Sequence, residues 1–474
     1  MKGIAMMNRM LENETIEQRT LNSEPRISEQ LQRWMFGVRC LMFFTCAISL
    51  AASVHCAHAE KIILKDAIVH TVSGETLSPG EVLIDGPKII EVGAKVDGSG
   101  ATVLSLKGEH LYPGLIALDT ALGLSEISGV RSTRDIVEVG DYTPDVQSWI
   151  AVNPDSELLP VTRANGVTHV EPAPQGGIVA GQSGIVALSG WTSEQMAIKK
   201  PAGLHVYWPS MELDTRPKDK FKDKSKWKSP EEQAKERLAK LRSLEDFFDE
   251  AKAYAKALNA SRKNATSPPE RNPSWESMLP FLMGEAPIML HADELRQIKA
   301  ALKWAETNQL KIILVGGRDA WLLADKIAAA KVPVIYEHIF AQPARDVDRY
   351  DVNFRAPEVL RAAGVTFALG MGADTFDAGL VKNLPYTVAQ TMAFGLPEAD
   401  ALKSITLVPA QLVGVVDRLG SIEAGKEATF FATDGNIFDI RSKVKRVWIA
   451  GKEMNLETRH TRLYEKYKNR PKGN

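Results

Sequence analysis

Histidine is the residue type in this 474-residue chain best suited to acid–base or metal chemistry, because neutral imidazole serves both near pH 7. Three of the nine histidines end or closely follow short apolar runs that predict strands: His169, His291 and His338. If these strands are parallel, their carboxyl ends share one rim, and the imidazoles reach a common mouth. The remaining histidines are scattered, without His-x-His or His-x-x-x-His spacing, and we expect none of them to join a cluster there.

Two aspartates stand beside predicted strand ends. Asp119 follows the apolar run 115–118 and can offer oxygen to a hard cation. Asp374 closes a Gly-x-Gly-x-Asp run and can act in proton transfer. Both also have a structural interpretation, since a loop aspartate often caps a helix or a turn. His291 likewise has Asp293 two residues on, a spacing typical of a structural pair.

All three cysteines lie in an N-terminal segment that reads as an export signal: Cys40, Cys46 and Cys56. Arg39 precedes the apolar run 41–54, and Ala57-His58-Ala59 offers a small-x-small cleavage site. The run is shorter than the ~20 residues of a spanning helix, so a membrane anchor is the disfavoured alternative. We therefore expect a secreted or periplasmic protein, cleaved after Ala59 and without a membrane span, whose translation starts at Met1 or Met35. The mature chain then has no cysteine to act as a nucleophile or zinc ligand.

The rest of the chain divides by its strand and helix pattern. Short apolar segments broken by glycine and proline, at both ends of the mature chain, predict small antiparallel strands that form one composite β-sandwich. The region between them alternates apolar strands with amphipathic helices, which favours an α/β fold of the (β/α)₈ TIM-barrel type. The predicted divisions are an N-terminal extension with signal peptide over 1–59, sandwich over 60–111, barrel over 112–415, an insertion over 214–274, sandwich again over 416–456 and a basic tail over 457–474.

One stretch of the insertion is strongly basic, although the formal net charge of the whole chain is −1. Residues 216–228 carry seven lysines and arginines against Asp219 and Asp223. This composition is typical of a solvated loop, with contact to an anionic surface or polymer as the alternative. The balanced net charge excludes an overall basic footprint for nucleic acid.

Three motifs occur in order along the chain: Tyr112-Pro113-Gly114-Leu115-Ile116, Ala410-Gln411-Leu412-Val413-Gly414-Val415 and Gly420-Ser421-Ile422-Glu423-Ala424-Gly425-Lys426. Together they resemble the amidohydrolase superfamily, closest to its imidazolonepropionase-like and dihydroorotase-like branches, over about 61–452. The resemblance implies a (β/α)₈ barrel with a composite β-sandwich. It also implies hydrolysis of C–N bonds, often in cyclic amides, by water activated on a divalent metal.

The ligand set that the resemblance implies is kept only in part. Asp119 and Ala121 stand where the family has two histidines on the first barrel strand. Gly316 and Gly372 replace the histidine of strand six and the aspartate of strand eight, while His291 is retained on strand five. The strand-four ligand is not identified. The predicted site is therefore His291 and Asp374 for catalysis, Asp119 and His291 for metal binding, and His169 and His338 for substrate binding.

The sequence leaves three functions open. A hydrolase of non-peptide C–N bonds, including those of cyclic amides, would hold one divalent metal such as zinc. A metal-free hydrolase would use His291 and Asp374 directly. A catalytically inactive homologue would instead bind a small molecule or a partner subunit. We expect a small-molecule amide as substrate or ligand, with assembly into homo-oligomers or with an intact homologue.

Overall fold

The structure, a computed structural model, describes residues 61–264 and 267–471. The predicted export signal lies outside the described residues. Within the described residues, no helix is both long enough and apolar enough to cross a membrane.

Strands and helices alternate along most of the described chain. The strands are β1 (Lys61–Val69), β2 (Leu77–Asp85), β3 (Lys88–Gly93), β4 (Thr102–Ser105), β5 (His110–Pro113), β6 (Leu115–Thr120), β7 (Val167–Pro172), β8 (Val179–Ala187), β9 (Ala197–Tyr207), β10 (Ile288–Ala292), β11 (Ile312–Gly316), β12 (Val334–Tyr336), β13 (Phe367–Leu369), β14 (Phe430–Thr433), β15 (Val444–Ile449) and β16 (Lys452–Glu453). The helices are α1 (Leu158–Arg163), α2 (Ser193–Met196), α3 (Pro230–Asn264), α4 (Pro273–Leu282), α5 (Leu295–Thr307), α6 (Ala324–Ala329), α7 (Val352–Ala362), α8 (Leu384–Met392), α9 (Glu398–Lys403), α10 (Leu407–Leu412) and α11 (Arg459–Lys468).

The first sheet joins the two ends of the described chain, as expected for a composite β-rich domain. Its order is β16-β15-β14-β5-β1-β2-β3, and β4 pairs with β1. Strand β14 pairs antiparallel with β5, so that Phe431 lies opposite Tyr112. Buried apolar side chains from both ends, including Val82, Phe430 and Trp448, pack into one cluster, which makes the two segments a single folding unit.

The second sheet is a nearly closed barrel of eight strands in the order β6 to β13. A bridge between Thr120 and Gly372 brings the first strand beside the segment that follows the last. Alternating side chains fill the interior of the barrel: Ile116, Leu118, Met289, Ile313, Val315, Ile335 and Ala368. Residues Ala410, Val413 and Val415 belong to the same apolar cluster and cover it. The expected TIM-type barrel with a separate β-rich domain is confirmed.

One barrel strand departs from the all-parallel pattern. Strand β8 runs antiparallel to both β7 and β9, whereas the other neighbouring pairs are parallel. The connection between β7 and β8, residues 173–178, is too short for a crossover, which needs about a dozen residues. Strand β9 therefore starts at the opposite end of the barrel, runs parallel to β10 and ends at the same rim as β10.

The inserted segment after β9 consists of a basic loop and the long helix α3. The helix begins at Pro230, where Ser229 Oγ accepts a hydrogen bond from the Glu232 N–H and Glu232 Oε2 accepts one from the Ser229 N–H. The charged side chains of the loop are exposed. The Arg216 guanidinium lies 4.8 Å from the centre of the Phe221 ring. Contact of this loop with an anionic surface stays a prediction.

Candidate metal centre

Three side chains from the carboxyl ends of β6, β9 and β10 meet inside the barrel mouth. Asp119 is next to last in β6 and only 2% exposed, with a positive φ of 48°. His205 lies two residues before the end of β9, on the same strand face as Tyr207, and is completely buried. The side chain of His291, in β10, is 13% exposed. The strained backbone of Asp119 is a feature that clusters at functional sites.

The donor atoms of these residues form a compact triangle. His205 Nδ1 lies 2.9 Å from His291 Nε2 and 3.6 Å from Asp119 Oδ1. His291 Nε2 lies 3.8 Å from the same aspartate oxygen. Atoms at these separations share a centre about 2.0 Å from each, which is the usual zinc–nitrogen and zinc–oxygen bond length. The three residues can therefore hold one metal ion.

One donor atom of the triangle lacks a hydrogen-bond partner. Asp119 Oδ1 is buried and, within the part of the chain that the structure describes, accepts no hydrogen bond. Burial raises the pKa of Asp119 to about 6, and the same desolvation holds the pKa of His291 well below its usual value. A neutral imidazole is the form that binds a metal, and a carboxylate that lacks a donor is stabilised by a cation. The electrostatics of the pocket thus suit a cation.

A second buried carboxylate lies beside His205. Glu171, on β7, is completely buried, and its Oε1 accepts a hydrogen bond of 2.6 Å from Ser183 Oγ. The same oxygen lies 3.7 Å from His205 Nε2, and Oε2 accepts from the Asp119 N–H at 3.3 Å. The separation between Glu171 Oε1 and His205 Nε2 is too long for a hydrogen bond, and His205 Nε2 has no hydrogen-bond partner among the described residues. Glu171 thus lies beside His205 and bonds directly to the backbone of Asp119.

The ring of Tyr207 orients the other histidine. It stacks on His291 with a centroid separation of 4.0 Å. The Tyr207 hydroxyl donates a 3.0 Å hydrogen bond to the carbonyl of Pro174, in the connection between β7 and β8. Burial holds the pKa of this phenol well above its usual value, so it remains a donor. The reversed strand β8 thus helps to fix the ring that covers His291.

The amidohydrolase family model matches residues 195–454, more than half of the chain. This chain belongs to the amidohydrolase family. An amidohydrolase from Thermotoga maritima superposes with a TM-score of 0.73 at 25% identity, over 83% of this chain and 99% of that one. Family membership supports a hydrolase.

Two curated relatives match shorter shares of their own length. Amidohydrolase tasK of Hapsidospora irregularis is 22% identical over 405 residues, which is 78% of this chain but 39% of the relative. An N-acetylglucosamine-6-phosphate deacetylase of Caenorhabditis elegans is 38% identical over 80 residues, 17% of this chain and 18% of that protein. The chain therefore spans less than half of the curated relatives that it matches.

The structure corrects one prediction about this amidohydrolase. We expected no further histidine to join the cluster, and this was wrong for His205. The missed signal is the alternation in Gly203-Leu204-His205-Val206-Tyr207, which places a histidine and a tyrosine on one face of a strand end. The strand had not been recognised. Ala121, Gly316 and Gly372 do lack donor side chains, but β9 supplies one from another position.

The remaining predicted residues of the amidohydrolase lie around this centre. His338 follows β12, and its Nε2 lies 2.6 Å from Asp293 Oδ1, so Asp293 pairs with His338 instead of with His291. His338 is 25% exposed and Asp293 44% exposed by side chain, which places both at the open rim.

His169 and Asp374 stand outside the metal triangle. His169 is buried inside β7, with Nδ1 at 3.0 Å from Thr168 Oγ1. Asp374 is exposed, and its Oδ1 accepts a hydrogen bond from the Phe376 N–H at 3.0 Å, as a turn residue does. Among the described residues, the metal-competent group contains neither of them.

Proposed function

We propose that this amidohydrolase binds one divalent cation, with zinc favoured, and hydrolyses a non-peptide C–N bond in a small amide, including cyclic amides. The observation that carries the proposal is the convergence of Asp119, His205 and His291 at distances that fit a single ion. Two imidazoles and one carboxylate, with space left for water or substrate, are a donor set that catalytic zinc accepts.

The argument that the triangle suits a cation rests on its buried polar atoms. Among the described residues, none donates a hydrogen bond to Asp119 Oδ1, although this atom is removed from water; such a group is destabilising unless a proton or a cation satisfies it. A wholly structural cluster would be expected to satisfy this oxygen from within the protein. A cation at the centre of the triangle satisfies it together with both imidazoles.

The protein side chains would hold and orient the reacting groups. The chemistry that a bound divalent cation supplies is polarisation of a carbonyl oxygen and acidification of water. Tyr207 stacks on the ring of His291, and Glu171 Oε1 lies 3.7 Å from His205 Nε2. The His338–Asp293 pair, at the rim, lies where a substrate enters and can orient it by hydrogen bonds. The apolar barrel interior excludes water from below the site.

A second candidate function is a catalytically inactive homologue that binds a small molecule or a partner subunit. It is supported by the loss of donor side chains at Ala121, Gly316 and Gly372. A metal-free hydrolase that uses His291 and Asp374 is a weaker proposal, because Asp374 is exposed and engaged in its own turn.

The test is metal binding by the full chain. The chelator-treated protein is titrated with Zn²⁺ by calorimetry, and metal content is measured after dialysis. We expect about one ion per chain. His205→Ala should abolish binding, because it removes one of three donors, whereas His460→Gln, on the exposed helix α11, should bind as the parent does. A parent protein without any zinc uptake would overturn the proposal.

Hydrolysis is then measured on a panel of cyclic amides and N-acyl amines. Turnover that requires zinc supports the hydrolase. Stoichiometric zinc with no turnover of any panel member favours the inactive homologue. Turnover that survives chelation and is lost in His291→Ala favours the metal-free route.

We also propose that the protein is exported. The support is the charged, apolar and small-residue order of 39–59. Sequencing the N-terminus of the protein from the external fraction should read Glu60 first. An intact N-terminus in the cytosolic fraction would contradict this.

A further inference from the structure

A cleft lies between helix α3 of the insertion and the barrel helix α5. Its volume is about 490 Å³, and none of the described residues that line it belongs to the metal triangle. Leu241 on α3 and Ala300 on α5 form apolar parts of its wall. Trp208, the residue after β9, and Trp304, on α5, also line it. The place where the inserted helix covers the barrel is therefore an open cleft with aromatic and apolar walls.

Both tryptophans of the cleft have an indole N–H without an acceptor. Trp208 is 6% exposed and Trp304 7% exposed, which makes them the most deeply buried residues of the lining. Among the described residues, neither Nε1 atom has a hydrogen-bond partner, and no other tryptophan has a buried Nε1 in this state. A buried donor without an acceptor is destabilising, and most such groups in proteins are paired. Two of them in one cleft indicate that the acceptor comes from a molecule that enters it.

The two indoles are held in place by their neighbours. Their ring centroids are 5.4 Å apart, and Phe248 from α3 packs edge-on against Trp304 at 4.8 Å. The backbone of Trp208 is tied on both sides: its N–H donates to the His291 carbonyl at 3.0 Å, and its carbonyl accepts from Gln297 Nε2 at 2.6 Å. Donors that are already fixed lower the entropic cost of binding a ligand.

The charges around the cleft are mostly paired within the protein. Asp249 pairs with Lys252 at 3.1 Å, and Lys303 pairs with Glu306 at 3.0 Å. Glu245 is exposed at the edge of the cleft. The buried polar groups are indole N–H groups, which are neutral and can only donate. A ligand that suits them needs an oxygen acceptor and apolar surface, but no net charge.

We propose that this cleft binds a small neutral organic molecule. A carbonyl or ether oxygen of the ligand accepts hydrogen bonds from the indole N–H groups of Trp208 and Trp304, and its apolar body packs against Leu241 and Ala300. The volume of the cleft falls in the range of small-molecule sites, about 300–1,000 Å³, and apolar walls with a few fixed polar groups are typical of them. The site does not depend on the proposed metal centre, so either can fail without the other.

The experiment follows the indole N–H signals of the full-length protein by ¹H–¹⁵N NMR while camphor is added. Camphor is a compact, uncharged, apolar molecule with one carbonyl oxygen. Trp208→Phe and Trp304→Phe assign the two signals, because each variant loses one N–H and keeps an aromatic ring. We expect both signals to move downfield to a saturating value as the N–H groups gain an acceptor. Each variant should bind camphor about 2- to 12-fold more weakly, the effect of one neutral hydrogen bond.

Three controls separate the cleft from general effects. Trp191→Phe, at a position 88% exposed and outside the cleft lining, should bind camphor as the parent does. Ala300→Leu fills the cleft and should abolish the shifts although both indoles remain, so it also serves if a tryptophan variant does not fold. Bornylamine hydrochloride has the skeleton of camphor but an ammonium group that donates and cannot accept, and it should not bind.

The contrary outcomes are equally distinct. If camphor shifts neither indole signal in the parent, the neighbouring rings already satisfy the N–H groups and the site is overturned. Equal shifts in the parent and in Ala300→Leu would place the camphor elsewhere and overturn it as well. Binding of bornylamine in preference to camphor would assign the cleft to a cation drawn by Glu245, which contradicts a neutral ligand.

Discussion

At the scale of single residues, the site is defined by buried polar groups whose partners come from other strands. The sequence predicted His291 and Asp119 as metal ligands, and the structure brings both into the metal-competent group; each follows a strong apolar run. His205 was missed because the strand that carries it, Ala197–Tyr207, was not recognised in the sequence. The position of Glu171 could not have been predicted, since its contacts with Asp119 and Ser183 cross between barrel strands and no local pattern encodes them.

A buried histidine outside the metal triangle, His169, should make the stability of the protein depend on pH. His169 is 1% exposed, and burial lowers its pKa to about 3 in the folded protein. The unfolded chain binds this proton near pH 6.5, so between these values acid favours unfolding, by about 1.4 kcal/mol per pH unit at most. The contribution of neutral, buried His169 to the free energy of unfolding is fully present above about pH 6.5. It is lost progressively as the pH falls toward 3.

Denaturant unfolding of the parent and of His169→Gln, measured from pH 7 down to pH 5, checks this. Glutamine does not titrate, so the variant should lose less stability over that range than the parent does. If the free energy of unfolding fell equally with pH in the two proteins, the buried neutral state of His169 would be contradicted.

At the scale of elements, Pro113-Gly114 marks the point where the chain leaves the first sheet and enters the barrel. Gly114 lies between β5 and β6, and a Cβ there would lie 2.1 Å from Thr168 Oγ1 and 2.7 Å from Thr168 Cγ2 on β7. This contact gives a physical reason for the glycine in a motif that the sequence singled out. The motif was recognisable from the sequence. The reason for its glycine, the close approach of Gly114 to Thr168 on the neighbouring strand, is visible only in three dimensions.

Gly114→Ala should therefore destabilise the protein by about 1–3 kcal/mol, the usual effect of overpacking a tight interior. Thr168→Ala in the same chain should recover part of that loss, because it removes the two atoms closest to the new methyl group. Gly129→Ala, at a position where a Cβ meets nothing within 4 Å, is the control. Equal stability of Gly114→Ala and the control in denaturant unfolding would refute the contact.

At the scale of the whole molecule, the first sheet needs both ends of the chain, whereas the last helix adds little. Strand β14 supplies the antiparallel partner of β5, and Phe430 and Trp448 belong to the shared core. Helix α11 has no buried residue, and Arg462 joins it to Glu157 by an exposed ion pair. The two-ended sheet could be predicted from strand pattern, while the reversed β8 could not, because strand direction leaves no mark in hydrophobic alternation.

Truncation distinguishes these two parts of the C-terminus. Removing 459–474 should lower the free energy of unfolding by no more than about 1 kcal/mol, as for loss of a surface ion pair. Removing 428–474 should leave β5 without its neighbour and the core open, so that no soluble folded protein is recovered. A stable, cooperatively unfolding product of the longer deletion would contradict the two-ended sheet.

The reversal of β8 also limits where the rim around the metal triangle can vary. A barrel with eight parallel strands offers eight independent loops above its pocket. Here the short connection 173–178 is shared by two strands, and its Pro174 carbonyl accepts the hydrogen bond of the tyrosine that stacks on His291. Lengthening that connection would loosen the ring stacked on His291. Variation at this rim is thus confined to the loops that follow the other parallel strands.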